Sequence, residues 1–240
     1  MRNIVTIASR EFRSYLYSPM AYIISALFLG CTGLFFGFIG YSITQAETSL
    51  CGFLGNLYYI LIVLMLNMLL TMRLIAEERK LGTIELLLTA PVKDSEIILG
   101  KFFSSMGIII LMLVLTFYFP ILLVIFGDPD FGPIASGYLG LLLLSSSAVA
   151  IGIFASSLTS NQIVSAVIGG AVLLGLWFLG YTSNYLPEGI SNIVNFISLS
   201  NHYFDFIIGI IDTRSIIYFV SITAFFIFLA IRSLENSRWN

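Results

Sequence analysis

The sequence predicts an all-α integral membrane protein with six transmembrane helices. The chain has 240 residues, of which 58% are hydrophobic and only 10% charged, whereas soluble domains carry about a quarter charged residues. Its mean hydropathy is +1.00. A spanning helix needs roughly 20 apolar residues, and the stretches that reach or approach this length are 21–43, 53–75, 97–126, 137–158, 163–181 and 216–231. We therefore expect residues 1–240 to form a single transmembrane domain.

The segment before the first span, residues 1–20, is expected to lie in the cytoplasmic interface. Residues 3–17 have helical periodicity, with Arg10 and Arg13 on the polar face and an apolar face opposite. Glu11 is the exception, since it points into the apolar face. It is either a carboxylate at a frayed helix edge or a partner for a cation of the cytoplasmic loop. Ser18-Pro19 then ends the helix.

The basic residues predict the orientation, because Lys and Arg accumulate in cytoplasmic connections. Ten of the eleven lie in the N-terminal arm, in or beside the second-to-third connection, or at the C-terminus: Arg2, Arg10, Arg13, Arg73, Arg79, Lys80, Lys93, Lys101, Arg232 and Arg238. Six spans place these three regions on one side. Both termini are therefore predicted to be cytoplasmic.

The spans have no ionisable residue near their middles, although such residues commonly mark proton or ion paths. A carrier driven by protons or sodium is accordingly disfavoured. Asn67, Thr223 and the run 145–147 of serines are the notable polar groups. We expect them to pack or hydrogen-bond between helices rather than to contact substrate. Pro120 should kink the third span towards its outer end.

The outer connection, residues 182–214, predicts a re-entrant or interfacial helical hairpin before the last span. Its first part, 188–198, is amphipathic, and its second part, 203–211, is apolar, but neither is long enough to cross a bilayer. Such a hairpin needs its backbone shielded by protein. His202 stands in the bend and is assigned a structural role, because the single histidine cannot form a His-rich metal site.

The second-to-third connection is a charged island between two apolar runs, reading MRLIAEERKLGTIELLLTAPVKDSEIILGK over residues 72–101. Arg73, Glu77 and Lys80 have ion-pair spacing, which predicts that the second helix continues out of the membrane. Gly82 loosens it, and Thr83 can cap a short helix over 84–89. That helix carries three consecutive leucines, which either face a soluble protein or pack onto the bundle.

The start of the third span also carries charge. Asp94 is predicted to cap its helix, and Lys101 to snorkel back to the interface.

The run Arg73-x-x-x-Glu77-Glu78-Arg79-x-x-Gly82-Thr83-x-Glu85-Leu86-Leu87-x-Thr89-x-Pro91, with Glu96-Ile97 and Gly100-Lys101 after it, resembles the signature of ABC-2 type transporter permeases. The likeness spans the chain, including Arg10-Glu11-Phe12 and the segment 202–206. Within the family, the chain is most similar to the small permeases of gliding motility and of copper-site maturation in nitrous oxide reductase.

The resemblance implies a permease subunit, of exporter type, in the bacterial inner membrane. Its partners would be two cytoplasmic ABC ATPase subunits, a second permease chain, the lipid bilayer and an extracytoplasmic accessory protein, but no nucleic acid. ATP and Mg²⁺ would be bound by the ATPase, with no cofactor or metal in this chain. The resemblance assigns the coupling helix to the segment 76–95. Glu77, Glu78 and Arg79 would steady it, Gly82, Thr83, Glu85, Leu86, Leu87 and Leu88 would form the ATPase contact, and Pro91 would fix its end.

The sequence also bears on two other classes of protein. An intramembrane protease is disfavoured, because Gly82 stands where an E-E-x-x-x-R motif starting at Glu77 needs arginine. The chain also lacks a P-loop, since Gly100-Lys101 is followed by Phe102. A scaffold that uses the same ATPase contact for mechanical signalling is left open by the sequence. Such a complex would hydrolyse ATP without moving a substrate.

Overall fold

The computed structural model describes residues 2–42, 49–83, 92–126, 130–183 and 186–239. These residues form helices joined by short connections. In chain order the helices are α1 (Arg2–Tyr17), α2 (Pro19–Ser42), α3 (Ser49–Leu54), α4 (Leu57–Thr71), α5 (Ala76–Lys80), α6 (Asp94–Leu115), α7 (Tyr118–Phe126), α8 (Phe131–Leu158), α9 (Gln162–Thr182), α10 (Glu188–Ile197), α11 (Leu199–Ile207) and α12 (Thr213–Trp239).

Five helical stretches are long and apolar enough to cross a membrane: Leu57–Lys80, Asp94–Ile125, Phe131–Leu158, Gln162–Thr182 and Thr213–Asn236. A sixth candidate is the pair Asn3–Tyr17 and Tyr22–Gly37, bent by 73°. The predicted all-α membrane fold is confirmed. The six expected spans correspond to the upper end of the five to six candidates.

The long helix α8 lies at the centre of the bundle, packed against α4, α6, α9, α11 and α12. Small residues permit this crowding. A Cβ atom on Gly152 would lie 1.9 Å from the Thr71 hydroxyl, and one on Gly140 would lie 2.7 Å from Phe206. Polar side chains also link the helices, because Asn67 donates to the Ser145 hydroxyl over 3.3 Å and Ser146 pairs with Thr223 over 3.1 Å. These contacts agree with the interhelical role predicted for them.

The second span differs from the prediction because it does not start at residue 53. Gly55 and Asn56 separate α3 from α4, and the Asn56 side chain accepts a hydrogen bond of 2.9 Å from the Tyr58 amide. Asparagine at an N-cap satisfies an amide that would otherwise lack a partner. The apolar run 53–75 is therefore not one helix, since it holds the end of α3, all of α4 and the turn 72–75.

The third span is interrupted where Pro120 predicted a kink. The helix α6 ends at Leu115 and α7 begins at Tyr118. Proline has no amide hydrogen, so Pro120 cannot donate to the carbonyl of Thr116, which lies in this interruption. That carbonyl, on Thr116, accepts instead from the Tyr138 hydroxyl over 3.1 Å and from the Phe119 amide over 3.0 Å. The helix α6, at the start of the third span, begins at Asp94 and has Lys93 as its N-cap. The predicted cap at Asp94 is therefore wrong. The Glu96 carboxylate accepts from the Lys93 amide and does the capping.

The outer connection contains the two short helices α10 and α11, which have different environments. Every residue of α10 is at least partly exposed. In contrast, α11 buries Leu199, Tyr203 and Phe206 against the bundle. His202 joins the two to the last span: its Nδ1 lies 3.1 Å from the Ser215 hydroxyl, its Nε2 lies 3.1 Å from the Phe196 carbonyl, and its ring stacks on Tyr218. These contacts agree with a structural role.

Candidate functional site

The candidate site lies at the end of the bundle where α4 passes into α5 and where α6 begins, which we call the charged end. Of the predicted coupling residues, the structure places Glu77, Glu78 and Arg79 on α5 and Gly82 and Thr83 directly after it. The remaining predicted contact residues fall in the segment 84–91, outside the described residues: Glu85, Leu86, Leu87, Leu88 and Pro91.

A lysine on α6 binds carboxylates from two other helices. Lys101 Nζ lies 2.7 Å from Glu78 Oε1 on α5 and 3.3 Å from Glu11 Oε1 on α1. The Lys101 side chain is 2% exposed, so its charge depends on these two partners. Two carboxylates reach Lys101 inside the protein, and its snorkelling to the interface stays a prediction. Of the two alternatives for Glu11, the structure favours the cation partner.

The helix α1 packs along α6, and two glycines of α6 make room for it. A Cβ atom on Gly100 would lie 2.6 Å from Ile7, and one on Gly107 would lie 3.2 Å from Phe12. The Asn3 side chain also donates to Glu96 over 3.1 Å. As the sequence predicted, the apolar face is partly buried, and Arg10 and Arg13 are exposed. The predicted apolar face thus contacts protein along α6, which brings Glu11 to Lys101.

The junction between α4 and α5 is held by a serine from α8. Ser156 Oγ accepts hydrogen bonds from the amides of Ile75 and Ala76, over 3.1 Å and 2.9 Å, and donates one to the Met72 carbonyl over 3.1 Å. One donor and two acceptors are the full capacity of a hydroxyl. Sequence reasoning missed this residue. A serine in an apolar helix is common, and no pattern connects it to a backbone 80 residues away in the chain.

The end of α5 is defined by the residues that the sequence singled out. Gly82 has a φ of +71°, in the left-handed region that favours glycine after a helix. The Thr83 hydroxyl donates to the Glu78 carbonyl over 3.3 Å, which folds the chain back on α5. On the other side, Arg73 and Glu77 form the predicted ion pair at 3.8 Å. Gly82 and Thr83 are therefore held against the end of α5.

These elements enclose an open cavity of about 330 Å³ between α1, α5 and α6. The charged residues in its wall are Glu11, Arg73, Glu77, Glu78 and Lys101. Across the described residues, no group of three His, Cys, Asp or Glu side chains is placed to hold a metal ion. The arrangement is suited to holding α5 in place by charge pairing.

Together, the apolar helices and the ion-paired end define a multi-pass α-helical membrane protein. The family model of the ABC-2 family transporter proteins matches residues 39–232, and the chain belongs to this family. Its members are membrane subunits of ABC transporters and do not themselves hydrolyse ATP. The match leaves α1, and with it Glu11, outside the matched residues. Among curated proteins, none matches the chain.

Proposed function

We propose that this chain is the permease subunit of an ATP-driven exporter, moved by a separate cytoplasmic ATPase that binds the segment 76–95. The observation that carries the proposal is the anchoring of α5. Lys101 ties its Glu78 to α6 and α1, and Ser156 ties its first residues to α8. A force applied to the loop after Gly82 would therefore act on three helices of the bundle. Without these anchors, the loop could move and leave the helices of the bundle in place.

The complex would contain two permease chains, like or unlike, and two ATPase subunits that supply ATP and Mg²⁺. The charge distribution supports placing the charged end and both termini in the cytoplasm of a bacterial inner membrane. The segment 182–214 would then face outwards, where an accessory protein could meet it. The motif run from Arg73 to Pro91 favours the subgroup of small permeases found in gliding motility and copper-site maturation.

Capture of the ATPase by the tagged, membrane-extracted chain tests this function. Glu78→Ala removes a carboxylate that holds α5, and Leu87→Ala truncates the predicted contact helix. We expect each to reduce the co-purified ATPase about fivefold, since losing one good contact costs about 1 kcal/mol or more. The amount of each variant in the membrane should match that of the wild type.

Glu188→Ala is the matched control, because Glu188 is an exposed carboxylate on α10, at the other end of the bundle. It should capture as much ATPase as the wild type. Equal capture by all variants would contradict the coupling assignment. A complex that hydrolyses ATP but transports nothing in vesicles would contradict the exporter assignment and favour a scaffold.

A further inference from the structure

We propose that Ser156 is the positioning residue through which movement of α5 is passed to the centre of the bundle, an inference that rests on the proposed function. Between Thr71 and Ala76 the helix is interrupted, and the amides of Ile75 and Ala76 are satisfied by the Ser156 hydroxyl. The same hydroxyl satisfies the Met72 carbonyl. A single side chain of α8 thus holds both sides of the interruption.

The joint is buried and tightly packed. Ser156 and Ala76 are both 0% exposed, so removing the hydroxyl leaves the two amides without their acceptor in a buried place. One turn away along α8, Gly152 lies against Thr71, where a Cβ atom would come within 1.9 Å of the Thr71 hydroxyl. On one side of the joint, the helix α4 therefore has little room to slide on α8. On the other side, α5 is held at its start by Ser156 and near its middle by Lys101.

The neighbouring residue extends the connection to the last helix. The Ser157 carbonyl accepts a hydrogen bond of 3.2 Å from the Ser233 hydroxyl on α12. The final turn of α8 consequently contacts the joint on one side and α12 on the other. Displacing α5 would move this turn, and with it α8 and α12. Without the Ser156 hydroxyl, α5 could swing about the interruption and leave α8 in place.

The first experiment measures the joint in the chain alone, by hydrogen–deuterium exchange of the full-length protein in lipid nanodiscs. In Ser156→Ala, the amides of Ile75 and Ala76 lose their acceptor and should exchange at least about tenfold faster. Ser157→Ala is the control, because among the described residues the Ser157 hydroxyl donates to the Phe154 carbonyl of its own helix and not to the joint. Unchanged exchange in Ser156→Ala would overturn the proposal.

The second experiment measures transmission in the complex with the captured ATPase, by distances between pairs of spin labels. One pair, on Tyr17→Cys and Leu81→Cys, reports the charged end, and the other, on Ile125→Cys and Ile211→Cys, reports the opposite end. All four residues are exposed. Trapping with ADP and vanadate should change both distances in a chain that also carries Cys31→Ser and Cys51→Ser, so that only the introduced cysteines are labelled. Ser156→Ala should keep the first change and ATP hydrolysis but reduce the second change about threefold.

Ser157→Ala in the same background, with Cys31→Ser and Cys51→Ser, should behave as the parent. Ser156→Thr and Ser156→Val form a second matched pair, equal in shape, of which only the threonine keeps the hydroxyl and the transmitted change. A full change at the opposite end in Ser156→Ala or Ser156→Val would overturn the inference alone. A native chain that captures no ATPase would overturn the proposed function and this inference together.

Discussion

At the scale of single residues, Lys101 shows how a buried charge organises the charged end. An ammonium group has three donors, and Lys101 directs two of them to carboxylates from α1 and α5. Both carboxylates are partly exposed, Glu11 by 25% and Glu78 by 22%, so they keep some contact with water while the lysine does not. The lysine is thus the member that depends most on the pairing.

Replacing this cation should destabilise the protein. Lys101→Met leaves two half-buried carboxylates without their cation. We expect the free energy of unfolding to fall by about 2 kcal/mol, which is less than the usual cost of breaking a fully buried pair. In a chain of this size that lowers Tm by roughly 5 °C, measurable by thermal unfolding in detergent. Adding Glu78→Gln should restore part of the loss.

Lys80→Met provides the control for this measurement, because Lys80 is an exposed lysine on the same short helix, α5. Its removal should change Tm by less than about 1 °C, as is usual for exposed charges. An equal loss in both variants would contradict the role of the buried charge pairs.

Residue-level prediction succeeded where the partner was close in sequence. The spacing of Arg73 and Glu77 predicted their ion pair, and Gly82 was expected to interrupt the helix. The sequence left two roles open for Glu11 because its partner, Lys101, is 90 residues away. Burial of Lys101 could not be foreseen, since an end-of-span lysine normally extends to the interface.

At the scale of helices, α4 and α8 pack so closely that Gly152 of α8 has no room for a side chain. Gly152→Ala would place a methyl group 1.9 Å from the Thr71 hydroxyl, so the two helices must separate. We expect a loss of about 2 kcal/mol, the usual cost of overpacking. Thermal unfolding in detergent measures it. Combining it with Thr71→Ala should recover part of this loss because the alanine has no hydroxyl.

Gly170→Ala is the matched comparison, since a Cβ atom there would meet nothing within 4 Å. Alanine favours a helix over glycine by about 1 kcal/mol, so this variant should be neutral or slightly more stable. Destabilisation by Gly170→Ala equal to that by Gly152→Ala would show that glycine itself, rather than the close approach, is required.

Helix faces were predictable from periodicity, and the breaks near Pro120 and Gly82 from residue type. The breaks at Asn56 and between α4 and α5 were not predicted. The two faces of α1 agree with their exposures, whereas its location at a membrane surface stays a prediction. The cap at Asn56 was overlooked because the surrounding run is apolar throughout, and hydropathy does not register a single capping side chain. The break between α4 and α5 depends on Ser156, a tertiary contact that local sequence does not encode.

At the scale of the whole molecule, the structure brings the C-terminal helix back to the charged end. Ser233 on α12 bonds to Ser157, beside the α4–α5 junction, and Arg232 pairs with Glu235 over 2.7 Å. This arrangement is what an even number of spans requires. The fold class and family were predictable because composition and one motif run carry them, whereas the packing around α8 needed the structure.

The orientation can be tested by labelling single cysteines in intact cells with a membrane-impermeant maleimide. With Cys31→Ser and Cys51→Ser as background, Ile211→Cys should react from outside, because the proposed orientation puts the outer connection outside the cytoplasm. Leu81→Cys should react only after permeabilisation, because the positive-inside rule places it in the cytoplasm. Both positions are exposed. The reverse pattern would contradict the proposed topology.

The Lys101 pairing also bears on the order in which the protein is made. Glu11 is synthesised 90 residues before Lys101, so the N-terminal helix lacks this cation while α2 to α5 are made. Only when α6 has been made can Glu11 and Glu78 pair with the same ammonium group. Formation of these two ion pairs would thus complete the assembly of the N-terminal half of the chain. In nascent chains halted before residue 101, the N-terminal helix should remain accessible to proteases.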